Sequence, residues 1–143
     1  MHLSKRGEYG LRAMISLARA TSEDKRVTIS EIARNENIPA KFLEQILLTL
    51  KNSGLLQSKM GAGGGYYLAH PPEEITLGQI KRVLDGPVAP IRCVSQMAYE
   101  PCGCPDEERC GLRLAMKDVR DAIAMILDNT SLADILKRIE AVG

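Results

Sequence analysis

Cys93, Cys102, Cys104 and Cys110 are the only cysteines of the chain, and all four lie in the stretch RCVSQMAYEPCGCPDEERCGL, beside Pro101, Gly103, Pro105 and Gly111. Four thiols in one loop-like stretch are a candidate ligand set. Their spacing is Cys-x8-Cys-x-Cys-x5-Cys. Structural zinc sites usually carry Cys-x2-Cys knuckles, whose amides point at one metal, and this stretch has none. Iron–sulfur clusters accept more irregular thiolate spacing and suit soft ligands. Spacing alone therefore ranks a cluster above zinc, and zinc above a thiol–disulfide switch. A small redox enzyme working through Cys102 and Cys104 is the enzymatic alternative, but neither a thioredoxin-type motif nor a substrate cleft accompanies the pair.

Composition sets the surroundings of this loop. A hydrophobic content of 45% is enough for a core, while 3% aromatics and no Trp mean that aliphatic side chains must fill it. No apolar run of signal-peptide length follows the basic start, and nowhere do about 18 apolar residues occur together. A soluble cytoplasmic protein without membrane contact is expected, and there thiols stay reduced. Net charge is +1 but unevenly spread. Residues 1–60 carry ten Lys and Arg against six Asp and Glu, and residues 61–143 carry nine against twelve. A mildly basic first half suits a polyanionic partner, although a balanced solvated surface accounts for the same charges.

Apolar periodicity and capping signals divide the first half into helices. Gly10, Ala13, Met14, Leu17 and Ala18 recur at helical spacing, with Arg6, Glu8, Arg12 and Arg19 mostly off that face. Thr28-Ile29-Ser30-Glu31 fits a capping box that opens a short helix stopping near Asn37. Pro39 suits the first turn of a third helix, running to Asn52 with Phe42, Leu43, Ile46, Leu47 and Leu50 on one face and Gly54 past its end. A short helix, a tight break and a longer helix make a helix-turn-helix pattern, which an ordinary helical hairpin also produces. LLQSK and GYYLAH follow as two strand-like runs joined by MGAGGG, and a hairpin in this place is a wing. The second helix of the motif would enter a major groove with Ala40, Lys41, Glu44 and Gln45 nearest the base edges. Lys41, Lys51, Lys59 and the arginines of the first helix would meet phosphates.

The glycine run 61–65 is not a phosphate-cradling loop, because Gly65 leads into Tyr66-Tyr67-Leu68, a strand pattern, instead of a helix. Glycines at a wing tip let backbone approach a sugar–phosphate chain. After Pro71-Pro72, Thr76 and Gln79 signal a capping box, and Gly86-Pro87 ends the helix they open. Beyond the cysteines, from about Glu107, Leu112, Met116, Val119, Ile123 and Ile126 recur at heptad spacing, with Ala115, Ala122 and Leu127 widening the stripe. Such a helix can bury one face in its own subunit and another in a partner. A homodimer on palindromic double-stranded DNA is the natural companion of a helix-turn-helix. A last helix, from about Leu132 to Ala141, packs back through Leu132, Ile135, Leu136 and Ile139.

Lys5-Arg6-Gly7-Glu8-Tyr9-Gly10, the stretch Lys41 to Leu47 (KFLEQIL), Gly61 through Tyr66 and the cysteine loop together resemble Rrf2-family regulators of the IscR, NsrR and RirA type, over essentially the whole chain. The resemblance implies a mainly α fold with a small β-hairpin wing: a winged helix-turn-helix plus a long dimerisation helix. It divides the chain into a DNA-binding domain at 1–86, a cluster-binding loop at 87–111, and dimerisation and packing helices at 112–143. It also implies DNA contacts from Lys5, Tyr9, Ala40, Lys41, Glu44, Gln45, Lys51, Lys59, Gly61, Gly63 and Gly64. The implied cofactor is an iron–sulfur cluster of the 2Fe–2S or 4Fe–4S kind, reporting iron–sulfur, nitric oxide, iron or redox status. By resemblance Cys93 is the first ligand and Cys110 the third. Cys104 has the family's gap before the last cysteine, and Cys102 is an additional thiol. Where the IscR type has a histidine ligand three residues after its last cysteine, this chain has Arg113, which keeps its protons and cannot coordinate iron. Either Cys102 completes a four-thiolate site or Glu8 reaches over from a partner's first helix, as an acid does in the NsrR type. The alternative is a DNA-binding repressor without a cluster, sensing thiol oxidation, zinc or cysteine metabolism.

Overall fold

The computed structural model describes residues 3–61, 65–101, 103 and 105–143. The candidate residues Gly63, Gly64, Cys102 and Cys104 lie outside them. The described chain holds helices α1 (Lys5–Ser22), α2 (Ile29–Glu36) and α3 (Ala40–Asn52), strands β1 (Leu56–Lys59) and β2 (Gly65–Leu68), then α4 (Leu77–Asp85), α5 (Gly111–Asp128) and α6 (Leu132–Val142). Single 3-10 turns precede α4 at Pro72–Glu74 and open the cysteine loop at Arg92–Val94.

Local chemistry accounts for most of these boundaries. Thr28 Oγ1 accepts from the Glu31 N–H at 3.1 Å, and α2 stops where Asn37 turns left-handed at φ 55°. The full reciprocal box forms at Thr76 and Gln79, with bonds of 3.0 and 3.2 Å, and again at Ser131 and Asp134. After α3 and after α4 the backbone takes φ of +90° at Gly54 and +78° at Gly86, conformations that cost a side chain energy and glycine little. The two strands pair antiparallel with Leu56 opposite Leu68 and Lys59 opposite Gly65, so the hairpin projects beyond α3 as the expected wing.

The core joins elements distant in sequence. Met14 and Leu17 of α1, Ile32 of α2, Leu43, Ile46, Leu47 and Leu50 of α3, Leu56 of β1, Ile80 and Leu84 of α4 and Leu132 of α6 form one buried cluster. Burying each large aliphatic side chain contributes about 1.5–3 kcal/mol, so α3 alone brings four such anchors. Helix α1 sits close on α4 because Gly7 and Gly10 carry no side chain: a Cβ at Gly7 would lie 2.5 Å from Asp85 Oδ2, and one at Gly10 would run into Leu84. The Asp85 carboxylate accepts from the Ser4 N–H at 2.9 Å and from the Ser4 hydroxyl, while Ser4 Oγ caps α1 at Gly7 N. Helix α6 returns to this core through the paired bonds Leu77 N to Thr130 O and Leu132 N to Ile75 O, both 2.9 Å.

Helix α5 behaves differently. None of its residues is buried, and among the described elements it packs chiefly against α4 and the Arg92–Val94 turn. It starts at Gly111 with Cys110 as its N-cap residue, a turn later than the apolar pattern suggested, because the Cys110 N–H closes a 3.3 Å turn onto Glu107 O. Its apolar stripe is split. Met116, Ile123 and Leu127 turn partly inward with Arg113 and Arg120, while Leu112, Ala115, Val119, Ala122 and Ile126 face out. Leu112 is 62% exposed and Ile126 66%.

Candidate nucleic-acid interface and cysteine loop

Helix α3 follows α2 after a break centred on Pro39, and its buried stripe presses into the core, leaving Ala40, Lys41, Glu44, Gln45, Leu48 and Lys51 exposed along the opposite face. Exposed Lys59 ends β1, next to Gly61. The start of the apolar stripe is braced from α1. Tyr9 meets the Phe42 ring edge-on, with centroids 5.7 Å apart and planes at 79°, and both Lys5 Nζ and the Arg12 guanidinium lie 5.7 Å from the Tyr9 ring centre. A cation over an aromatic face is favoured by the ring quadrupole. Tyr9 is therefore half-buried and positions Lys5. Arg6 donates to Thr49 Oγ1 at 2.9 Å, tying the start of α1 to the C-terminal half of α3.

Glu8 stands in a run of charges on α1. Its carboxylate lies 3.7 Å from both Lys5 Nζ and Arg12 Nη1, and Arg12 also pairs with Glu36 at 3.3 Å. Ser16 donates to the same Glu36 carboxylate at 2.8 Å, so α1 and the end of α2 share a small polar network.

The cysteine loop is fastened to α5 by arginines that sequence reading had not singled out as anchors. Arg120 Nη1 donates to Val94 O at 2.6 Å, and Arg113 Nε to Cys93 O at 3.4 Å with Glu107 Oε1 3.6 Å away. These two residues stand seven apart on the inward face of α5, a spacing that was legible but carried no label of its own. Cys93 is 4% exposed inside the Arg92–Val94 turn, and Cys110 is half-buried at the α5 N-terminus. Arg92 pairs with Glu100 at 2.7 Å, and the Ser95 hydroxyl accepts from Ala98 N at 2.9 Å, which folds the first half of the loop on itself. The Glu100 carboxylate raises the Arg92 pKa above its ordinary value.

Lys81 was another residue without a sequence signal. It is 3% exposed, and its ammonium donates to Gly86 O at 3.1 Å and Pro87 O at 2.8 Å, where α4 hands over to the cysteine loop. Burial lowers its pKa, against the pull of Asp85, and Arg82 lowers it further. Arg82 in turn grips Asp128 at the end of α5 through two bonds, one of 3.0 Å, and this pairing raises its own pKa.

A helix-turn-helix with a basic exposed recognition face, a following hairpin and a long helix exposing an apolar seam is the build of a winged-helix transcriptional regulator. The family model Rrf2, described as an iron-dependent transcriptional regulator, matches residues 3–138. The chain belongs to that family of DNA-binding regulators. It is 38% identical to the transcriptional regulator CymR of Bacillus subtilis, covering 94% of this chain and 89% of that one. It is 30% identical to the transcriptional regulator IscR of Yersinia enterocolitica, covering 95% and 79%. Among solved structures, CymR, the global cysteine regulator of B. subtilis, superposes with a TM-score of 0.79 at 35% identity over 96% of this chain and 98% of that one. IscR of T. potens superposes with 0.78 at 32% identity over 99% and 90%. These relatives are regulators, not enzymes, and no helix among the described residues is long and apolar enough to cross a membrane.

Proposed function

We propose that this regulator acts as a homodimer on palindromic DNA and that its cysteine loop holds an iron–sulfur cluster whose presence sets DNA affinity. One observation carries the reading: Cys93 and Cys110, at the two ends of the loop, both attach to α5, the first through the Arg113 bond to its carbonyl, with Arg120 on the neighbouring Val94 carbonyl, and the second as the helix N-cap. Helix α5 is also the helix with the unpartnered apolar seam.

The donor set suits a cluster. Thiolates are soft ligands for iron, and Cys110 is the N-cap residue of α5 while Arg113, one turn further on, donates to the carbonyl of Cys93 and so ties the two ends of the loop to one helix. Cys93, Cys104 and Cys110 would be ligands, with Cys102 or the partner's Glu8 as the fourth. Recruiting Glu8 would cost its exposed pairings with Lys5 and Arg12. When bound, a cluster supplies a redox- and nitric-oxide-sensitive centre. Residues 93–110 would order around it, and α5 would carry that order to the dimer seam. On the DNA side, Glu44 and Gln45 would read base edges from α3, with Ala40 and Lys41 at its mouth. Lys5, Lys51 and Lys59 would meet phosphates, Tyr9 would hold Lys5 in place, and Gly61, Gly63 and Gly64 would let the wing approach the backbone.

The likeness to CymR is as strong as that to IscR, and it favours a second reading, a regulator of this family without a cluster that answers to cysteine metabolism. An absorption spectrum of anaerobically purified protein separates the two. The proposal expects brown protein that bleaches in air or with nitric oxide and loses its colour in Cys93→Ser and Cys110→Ser. Colour loss in both Cys102→Ser and Cys104→Ser supports four thiolates. Loss in Cys104→Ser and Glu8→Ala, but not in Cys102→Ser, supports the mixed set. Colourless anaerobic protein, with or without stoichiometric zinc, overturns the cluster and leaves the DNA-binding assignment standing.

A further inference from the structure

Arg6 stands in the first turn of α1, and sequence alone places it with the arginines that would meet phosphates. Its surroundings give it another task. Its Nε is buried without a hydrogen-bond partner among the described residues, and its Nη2 donates to Thr49 Oγ1 of α3 at 2.9 Å. The same hydroxyl donates to the carbonyl of Gln45 at 3.0 Å. Its one proton is thus committed to the turn that carries Gln45, and its lone pair to the guanidinium. Through a single hydroxyl, Arg6 reaches the backbone of a residue whose side chain stands on the exposed face of α3.

The linkage is rooted at both ends. In α1 the Asp85 carboxylate accepts from the Ser4 N–H, Ser4 Oγ caps Gly7, and Gly7 packs on the same carboxylate, so the turn bearing Arg6 is fixed on α4. Further along α1, Tyr9 meets Phe42 edge-on, and a Cβ at Gly10 would lie 3.3 Å from Ile46 Cγ2. On α3 the attachments therefore fall at Phe42, Ile46 and Thr49, one stripe at helical spacing, and Gln45 lies within their span. Phe42 and Ile46 are held by packing, whereas Thr49 is held by a directed bond.

We infer that Arg6 is a positioning residue for base reading: through Thr49 it sets the roll of α3, and with it the approach of Gln45 to a base edge, and it makes no phosphate contact of its own. The inference rests on the proposed DNA face. A side chain that reads a base must be held to within about 0.5 Å, while phosphate contacts carry no sequence information, so loss of this linkage is felt in base preference.

The test starts from the duplex that the wild-type full chain selects from a randomised library. The base pair whose preference Gln45→Ala relaxes is the one Gln45 reads. Fluorescence anisotropy on that duplex and on its single-base variants at this pair gives the preference, and the salt dependence gives the phosphate contacts. Arg6→Met keeps an apolar stem between α1 and α3 without a donor or a charge, and Thr49→Val keeps the shape without the hydroxyl. Each is expected to shrink the preference at that pair at least about fivefold, the low end of what a bidentate base contact is worth. The double variant loses no more than the larger single loss, since both act through one hydrogen bond. The slope of log K against log salt stays at its wild-type value. A slope lower by about 0.9 per protomer in Arg6→Met, with the preference intact, makes Arg6 a phosphate contact and overturns the inference. A preference that Arg6→Met leaves intact while Thr49→Val relaxes it, or that both leave intact with only the thermal midpoint lowered, overturns it equally. If Gln45→Ala relaxes no preference, the reading of the DNA face is what fails, and the inference falls with it.

Discussion

Val119→Glu tests the seam on α5. Leu112, Val119 and Ile126 stand seven residues apart on the outward face and are 62%, 40% and 66% exposed, which amounts to about 1.7 whole side chains still in water. At about 1.5–3 kcal/mol for each fully buried aliphatic side chain, closing this face against a copy of itself is worth about 5–10 kcal/mol per dimer before the cost of association. A glutamate at the centre of the stripe removes one contributor from each protomer and must either be desolvated without a partner or hold the helices apart. Several kcal/mol follow from that alone, a rise in the dimer Kd of about 10³-fold or more. The protomer itself should stay folded, because Val119 packs outside the core cluster. Sedimentation equilibrium reads the Kd and circular dichroism the fold. A folded variant whose Kd stays within tenfold of wild type would refute the reasoning and return the stripe to an intramolecular role.

Two further outcomes follow from the same geometry. Glu44→Ala or Gln45→Ala should relax base preference by about 1–3 kcal/mol at one position per half-site, while Lys51→Ala weakens all sequences alike; binding to a randomised duplex library separates the two patterns. Lys81→Met leaves the Gly86 and Pro87 carbonyls without their donor and should cost about 1–3 kcal/mol in denaturant unfolding near neutral pH. Because burial holds the folded Lys81 pKa below its unfolded value, the unfolded chain binds more protons in the window between them, and wild-type stability gains there as pH rises. The gap between wild type and the Met variant should widen as pH climbs toward the ordinary lysine value.

Local rules were enough for most of the helix-turn-helix. Asn37 and Pro39 set the break, Thr76 with Gln79 opened α4, and Gly86 closed it, each through a bond or a backbone angle made within a few residues. The exposed face of α3 was legible for the same reason, since a 3.6-residue period with one buried stripe leaves only one face for solvent. The cysteine spacing raised a ligand-bearing loop only as an expectation, and two of the four thiols lie outside the described residues.

Period alone could not divide the stripe of α5, because Met116 and Val119 stand side by side on the same arc and only the position of α4 and the Arg92–Val94 turn decides which of them faces inward. Gly7 and Gly10 look like ordinary helix residues until α4 arrives against them, and Lys81 looks like a surface charge until the chain past Gly86 folds over it. Arg113 and Arg120 are of this kind too. Capping, turning and amphipathic patterning act over a few residues and are written in order along the chain, whereas close approach and burial of a charge arise between segments that meet only in the folded molecule.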